Sequence, residues 1–493
     1  VLEPFGFASM SIGAAIAAVL LPQVAHAAPV SSPAAHTFEN ELRRTVIVAG
    51  QEQARFTLGA RMKHYGVPGV SIAIIDGCRI VDARGFGTSA GTNDPISSRT
   101  LFQAGSISKS ITAVVALRLV EDGRLELDGE VRPFIKAWSN PGGRTAFTAP
   151  VTLRRLLNHT AGLNEIGGQG YDRGAPLPTL AQMLNGTHPA NNPAVRIVSE
   201  PGEQWAYSSG GYYLIQDLME SASGAPFPSL AEDLVFKPLG MLESTFAQPL
   251  NAVRTPQASN AAGHDGLPLP GGWRVNPELA AGGLWTTPTD LALFLITLAH
   301  DIRGESEHLL RHESARQMLA PGLKNWGLGV ELGNPAGPRR IGHTGHNVGF
   351  VSEYVMYPDT CQGAVVMTNG DESGWLISEI LRAMGDVYHW PELRPSTVQQ
   401  AVPLTGAIAR RFLGTYRLRD FPTEKFSVAQ KADGGLYWAR QGHLGRDLMA
   451  ASTDRVFSPD SGMTLVALNP TADRAATLEL RFGGGKNVAE RIN

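Results

Sequence analysis

Apolar residues recur at helical spacing from Phe38 to Tyr65, where Phe38, Leu42, Val46, Ile47, Phe56, Leu58 and Met62 predict a helix ended by Gly66-Val67-Pro68-Gly69. The period then changes. Val70-Ser71-Ile72-Ala73-Ile74-Ile75 is a buried-strand run, Asp76-Gly77 a turn, and Cys78 to Gly87 a returning strand. A second helical run, Ala113 to Asp122, follows Ser106-Ile107-Ser108-Lys109 and stops at Gly123. Val151 to Leu163 predicts a short helix ending in a turn. Residues 164 to 200 are rich in Gly, Pro and Asn and read as a long loop with one short helix near Leu180. Loops of this length are usually lids or binding walls.

Pro201 to Tyr213 opens a further helix through Ser221, and another begins after Thr287-Pro288-Thr289-Asp290, where Thr and Asp suit a helix start. From Gly327 the alternation is that of strands: Gly327 to Leu332, Arg339 to His343, Gly349 to Met356 and Gln362 to Thr368, closed by a helix from Trp375 to Met384. A hairpin, many helices, then consecutive strands predict one antiparallel sheet assembled from both ends of an α/β (α+β) domain, 36–391, with helices inserted between. Pro395, Ser396, Thr397, two Gln and Pro403 give residues 392–405 the composition of a linker. Short alternating segments separated by turns then predict a small all-β domain, 406–493, as a closed or nearly closed barrel.

Composition narrows the function classes. A net charge of −3 without a basic block leaves no electrostatic footprint for nucleic acid. Two Cys exclude a disulfide-dense scaffold; no His/Cys cluster has zinc-ligand spacing, and no Gly-rich phosphate loop precedes a helix. Neither a cofactor nor a metal is expected, and catalysis has to come from side chains. Ser11 to Val24 is small and apolar, and Ala25-His26-Ala27 supplies an Ala-x-Ala cleavage site, so residues 1–27 read as an export signal cleaved near Ala27. A periplasmic or secreted protein follows, with no membrane-spanning segment after signal removal.

Candidate chemistry centres on Ser106 and Lys109. In a helix starting near Ser106 the two lie one turn apart on one face, the hydroxyl at the positive end of the helix dipole and an ammonium within reach of its proton. That is the requirement of an activated serine nucleophile. Tyr207-Ser208-Ser209 opens a helix, which lets the phenol point into a cleft. His343-Thr344-Gly345 ends a strand, and an edge strand ending in small residues can offer backbone N–H groups to a substrate carbonyl.

In this order, Ser-x-x-Lys, Tyr-x-Ser and His-Thr-Gly, flanked by Leu156 to Leu163 and by Ala281 to Thr287, the chain resembles the serine β-lactamase and penicillin-binding-protein superfamily. The similarity spans residues 38 to 390 and points to the branch holding class C β-lactamases, DD-peptidases and related esterases. The resemblance implies a serine hydrolase acting on ester, amide or D-amino-acid peptide bonds of small molecules or peptides. Its alternatives are a class C β-lactamase, a D-alanyl-D-alanine carboxypeptidase, and, outside enzymes, a penicillin-binding sensor that acylates without turnover.

Carried over by motif, Ser106 is the nucleophile, Lys109 lowers its pKa and shuttles the proton, and Tyr207 is the general base. The N–H groups of Ser106 and His346 form the oxyanion hole. His343, Ser209, Thr344 and Gly345 face the substrate. Two departures bear on specificity. His343 stands where β-lactamases usually carry a Lys that anchors the substrate carboxylate, and Ser209 stands where Asn is usual. The weaker carboxylate anchor favours neutral or D-amino-acid-like acyl donors, and Ser209 gives a shorter reach without an amide donor. His346 follows the Gly where a small residue is common, which narrows the mouth. His159 reads as a structural hydrogen-bonding residue, Trp205 and Tyr212 as either cleft or core, and His389-Trp390 as packing against the last helix. In the resembling fold Cys78 and Cys361 fall at one end of the sheet, where either a disulfide or two free thiols are compatible with the sequence. The C-terminal β domain resembles the lipocalin-like module of some serine peptidases.

Overall fold

A computed structural model describes residues 38–390, 396–468 and 473–492. The expected export signal lies outside these residues. A six-stranded antiparallel sheet forms from β1 (Gly69–Asp76), β2 (Arg79–Gly87), β3 (Glu331–Leu332), β4 (Ile341–Asn347), β5 (Phe350–Tyr357) and β6 (Gln362–Thr368), in the order β2-β1-β6-β5-β4-β3. Both ends of the domain therefore contribute strands, as the hydrophobic pattern predicts. Every residue of β1 except Asp76 is buried, because both faces of the sheet are covered. Val70, Ile72, Val355 and Val366 pack against α1 (Leu58–Tyr65) and the terminal helix Gly374–Tyr388. Their neighbours Ala73, Tyr354, Val365 and Met367 face the inserted helices.

At the centre of that helical layer lies α2 (Ser108–Glu121), buried on nearly every side from Ser108 to Leu117. Its apolar residues surround the whole circumference, as a helix enclosed by protein requires. Against it packs α3 (Ser209–Ser223), whose Tyr212 is fully buried and donates to the Leu157 carbonyl at 2.9 Å, which makes it core. The long stretch between Asn164 and Glu200 carries one short helix, Leu180–Asn185, closed by a Thr179 capping box. Cys78 and Cys361 are joined as a disulfide between the turns at one end of the sheet. His389 caps the last helix in the left-handed region, and Trp390 is buried against Tyr357 and Tyr388.

Four local expectations need correction. The run from Phe38 to Tyr65 is not one helix: Val46–Val48 forms a strand paired in parallel with Thr397–Gln399, and only Leu58–Tyr65, capped by Thr57, is α-helical. Phe38 and Leu42 are nevertheless completely buried, so the apolar spacing reports burial and not local conformation. The linker composition of 392–405 conceals that same distant pairing. Of the strand expected from Gly327, only Glu331–Leu332 forms: Gly329 has φ +72°, outside strand geometry, and abuts α2, where an added Cβ would lie 2.6 Å from Ala113. The His343-Thr344-Gly345 triplet lies within β4 rather than at its end.

Residues Gly414–Leu418 to Gly485–Arg491 form a closed barrel of eight antiparallel strands around Tyr416, Val456, Leu465, Leu478 and Ala489. The short helix Gly406–Phe412, N-capped by Thr405, leads into it.

Candidate active site

Ser106 sits in a single 3-10 turn, Gly105–Ile107, that continues directly into α2. Gly105 has φ +52°, and a Cβ there would lie 2.5 Å from the backbone N of His346; one on Gly345 would lie 1.8 Å from the Ala104 carbonyl oxygen. Only glycine on both sides lets the Ser106 turn and β4 come this close. β4 and β5 are joined through the two-residue turn Val348-Gly349, with Asn347 opposite Phe350. In that register Thr344 and His346 turn their backbone groups away from β5, toward the serine.

One turn along α2, Lys109 is completely buried and its Nζ lies 3.0 Å from Ser106 Oγ and 2.8 Å from the Ala281 carbonyl oxygen. The segment carrying that carbonyl is fixed to the same helix: Thr112 Oγ1 donates to Ala280 O at 2.7 Å, and Leu284 N donates to Ser108 Oγ at 3.1 Å. Burial pushes the Lys109 ammonium down to about 7, partly offset by the charge of Glu278. Glu278 is itself buried, which raises its carboxyl to about 7 against the opposing pull of Lys109. Neither of its carboxylate oxygens has a hydrogen-bonding side chain, and Gly168 of the long loop lies directly over one of them.

Tyr207 precedes the α3 cap Ser208, and its ring centroid lies 5.1 Å from Lys109 Nζ. Desolvation pushes the phenol up to about 12, although the nearby Ser106 side chain works the other way. Its ring is held by His159 at 4.3 Å between centroids and by Trp326 at 5.9 Å, with Trp205 behind them. The Ser208 N–H donates to His159 Nδ1 at 3.2 Å, and burial keeps this imidazole neutral. His159 therefore positions Tyr207 and Ser208, in keeping with a structural role.

His343 is buried beneath the cleft against Trp326, with Nδ1 2.6 Å from the Thr344 carbonyl oxygen and a buried, unpartnered Nε2. Burial first and the Lys109 charge second push it down to about 3, so it is uncharged at neutral pH. Thr344 is exposed, Gly345 is buried, and Ser209 is half-buried in the first turn of α3. The His346 ring turns away from the serine to place Nε2 2.5 Å from Asp371 Oδ1. Asn347 donates to Gln103 Oε1 at 2.8 Å and to Gly282 O at 3.0 Å, tying the strand to the lysine-binding segment. Sequence reasoning missed Glu278, Trp326 and the contact of His159 with Tyr207. A lone Glu after Asn276-Pro277 and a lone Trp before Gly327 carry no local signal.

A hydroxyl 3.0 Å from a buried amine, near a phenol and beside backbone N–H groups on a strand edge, is the arrangement that a serine hydrolase requires. Consistent with this, residues 55–387 match the Beta-lactamase family model. The chain belongs to that family and is a serine hydrolase of the β-lactamase-related type. It is 28% identical over 349 residues to penicillin-binding protein 4 of Amycolatopsis lactamdurans, covering 67% of this chain and 88% of that protein. It is 26% identical over 324 residues to the D-alanyl-D-alanine-carboxypeptidase/endopeptidase AmpH of Escherichia coli K12, covering 61% and 79% respectively. The fold is similar to the octameric penicillin-binding protein homologue from Pyrococcus abyssi, with TM-score 0.57 and 22% identity over 88% of this chain and 98% of that one.

Proposed function

We propose that the protein hydrolyses ester, amide or D-amino-acid peptide bonds of neutral acyl donors through an acyl-enzyme on Ser106. The observation that carries this reading is the Lys109 amine, 3.0 Å from Ser106 Oγ and pushed down to about 7 by burial. A neutral amine can donate to Ala281 O while its lone pair accepts the Ser106 proton. Oγ then attacks the carbonyl carbon, and the N–H groups of Ser106 and His346 receive the oxyanion. A donor in such a position is worth about 3 kcal/mol of barrier. Tyr207 at about 12 is a poor resting base, so its hydroxyl relays the proton from Lys109 to the leaving group and later passes one from the deacylating water back to the Lys109 amine, which returns it to Ser106 Oγ as the ester bond breaks. This exchanges the leading roles that motif correspondence gives to Tyr207 and Lys109.

The substrate preference rests on His343. The position that holds a cationic anchor in β-lactamases is here a buried, uncharged imidazole, and Thr344 offers only a hydroxyl. Export to the periplasm or the medium is supported by the Ala25-His26-Ala27 cleavage pattern and by the Cys78–Cys361 disulfide, which belongs in an oxidising compartment. Short acyl p-nitrophenyl esters, D-Ala-D-Ala peptides and nitrocefin, compared by kcat/KM, test the assignment. Neutral esters are expected to exceed nitrocefin by about tenfold or more, the scale of one lost charge-assisted contact, and the D-Ala-D-Ala peptide, which also ends in a carboxylate, is expected to fall below the esters too. A preference for nitrocefin overturns it, and a stable Ser106–penicillin adduct without turnover makes the protein a sensor.

A further inference from the structure

The barrel meets the rest of the chain beside the strand that carries His346. The His443-Leu444 turn of the barrel docks there: Leu444 N donates to the His264 carbonyl at 3.1 Å, and its side chain fills the space over Gly66. Around that contact, three side chains from distant parts of the sequence converge. Glu372 Oε1 lies 2.5 Å from His443 Nδ1 and 3.2 Å from His264 Nδ1, and the two imidazoles stack at 4.1 Å between centroids. Arg446, nearly buried, holds the other Glu372 oxygen at 3.1 Å. The remaining nitrogen of His264, Nε2, lies 2.9 Å from Asp371 Oδ2, and Asp371 Oδ1 binds His346.

One ligand atom from each of His264, Glu372 and His443 lies within 4.8 Å of the other two, with two imidazole nitrogens converging on one carboxylate oxygen. Behind them, the buried Asp371 Oδ2 makes no hydrogen bond although His264 Nε2 lies 2.9 Å away. We infer that His264, Glu372 and His443 form a zinc-binding site that joins the barrel to the hydrolase body. Two imidazoles and one carboxylate are a donor set suited to Zn²⁺ rather than to Ca²⁺ or Mg²⁺, which prefer oxygen ligands. With an ion on Nδ1, His264 keeps its Nε2 proton for Asp371, the carboxylate–histidine–zinc arrangement that fixes a ligand's tautomer and orientation. Arg446 leaves Oε1 as the single carboxylate ligand. The protons displaced from the ligand atoms leave to solvent. A tetrahedral ion about 2.0–2.2 Å from each atom needs ligand atoms about 3.4 Å apart, so the 2.5 Å His443–Glu372 contact opens by about 1 Å and the stacked rings turn to aim both Nδ1 atoms at the ion. Three protein ligands leave one position for water. Through Asp371 the ion braces His346 from behind.

The test uses the full mature chain, stripped with chelator and titrated with Zn²⁺ by calorimetry, with bound metal counted after gel filtration. Wild type is expected to take up one equivalent and to gain thermal stability with it. His443→Gln and His264→Gln are each expected to lose that equivalent and the Zn²⁺-dependent gain while keeping ester hydrolysis in metal-free buffer. Asp371→Asn is expected to weaken binding 10–100-fold, as loss of a ligand-orienting carboxylate does. Absence of bound Zn²⁺ in wild type overturns the proposal whatever the variants do, and so does equal uptake by wild type and a folded His264→Gln/His443→Gln double variant. Either result leaves a hydrogen-bonded contact between the two parts of the molecule.

Discussion

Two buried charge clusters lie on opposite faces of the central sheet, and they treat charge in opposite ways. Behind the sheet, Arg61 donates to both oxygens of Glu379 at 2.7 and 2.8 Å and to Asp460 of the barrel at 2.8 Å. Tyr65 adds a hydrogen bond to Glu379 at 2.9 Å, and His64 Nε2 lies 2.8 Å from the other Asp460 oxygen. Burial opposes these charges, yet the partners win: Arg61 is held firmly protonated by Glu379, and Asp460 is held far below the usual carboxylate range by His64, Arg44 and Arg61. In front of the sheet, Lys109 and Glu278 are equally buried but not joined by a hydrogen bond, and burial brings both to about 7. Burial alone does not make a group reactive. Burial with incomplete pairing does, because the neutral form then competes at working pH.

The comparison can be broken most sharply at the nucleophile. Ser106→Ala is expected to lower turnover by a factor on the order of 10⁴ or more, with an unchanged unfolding midpoint. Retained hydrolysis removes the front cluster from catalysis. Behind the sheet, Asp460→Asn leaves activity chemistry intact but is expected to destabilise the fold by about 3–5 kcal/mol, the usual effect of orphaning a buried partner. A urea midpoint close to wild type would show that the network holds nothing together. The same carboxylate sets a pH window. Its folded pKa is depressed, so its stabilisation is complete above the unfolded value near ~4 and declines as pH falls below that.

Smaller effects sharpen the contrast. Tyr207→Phe is expected to lower turnover by about 100-fold without moving the acid limb of kcat/KM, since the hydroxyl relays a proton but does not set the limb. A shifted limb would return the base role to the phenol. The limb itself, near pH 7, follows loss of the Lys109 proton, so activity rises with pH through it; as a coupled pair, Lys109 and Glu278 share that apparent value. Glu278 favours the ammonium, so Glu278→Gln is expected to move the limb to lower pH by less than about one unit. A pH–rate profile unchanged by this substitution would remove Glu278 from the site's electrostatics.

Much of this was legible without coordinates. The hairpin near Val70, the strands near Ile341, Phe350 and Gln362, the helix after Lys109 and the barrel all announce themselves through period and turn residues. The positions of Ser106, Lys109 and Tyr207 beside helix starts were legible locally, while the roles proposed for them come from the order of the three motifs and the resemblance it carries. The failures share one cause. Val46–Val48 reads as helix because its partner, Thr397–Gln399, lies some 350 residues away, beyond any window of periodicity. His264, Glu372 and His443 have no metal-ligand spacing because three separate loops carry them.

Short-range order in the chain decided which groups are present: a hydroxyl and an amine one turn apart, a phenol at a helix mouth, and a histidine in place of the expected cation. Their protonation states came from elsewhere. Lys109 is poised and Arg61 locked because one is enclosed without a full set of partners and the other with them. Desolvation and pairing are properties of the assembled interior, summed over segments hundreds of residues apart, and no stretch of sequence carries them alone.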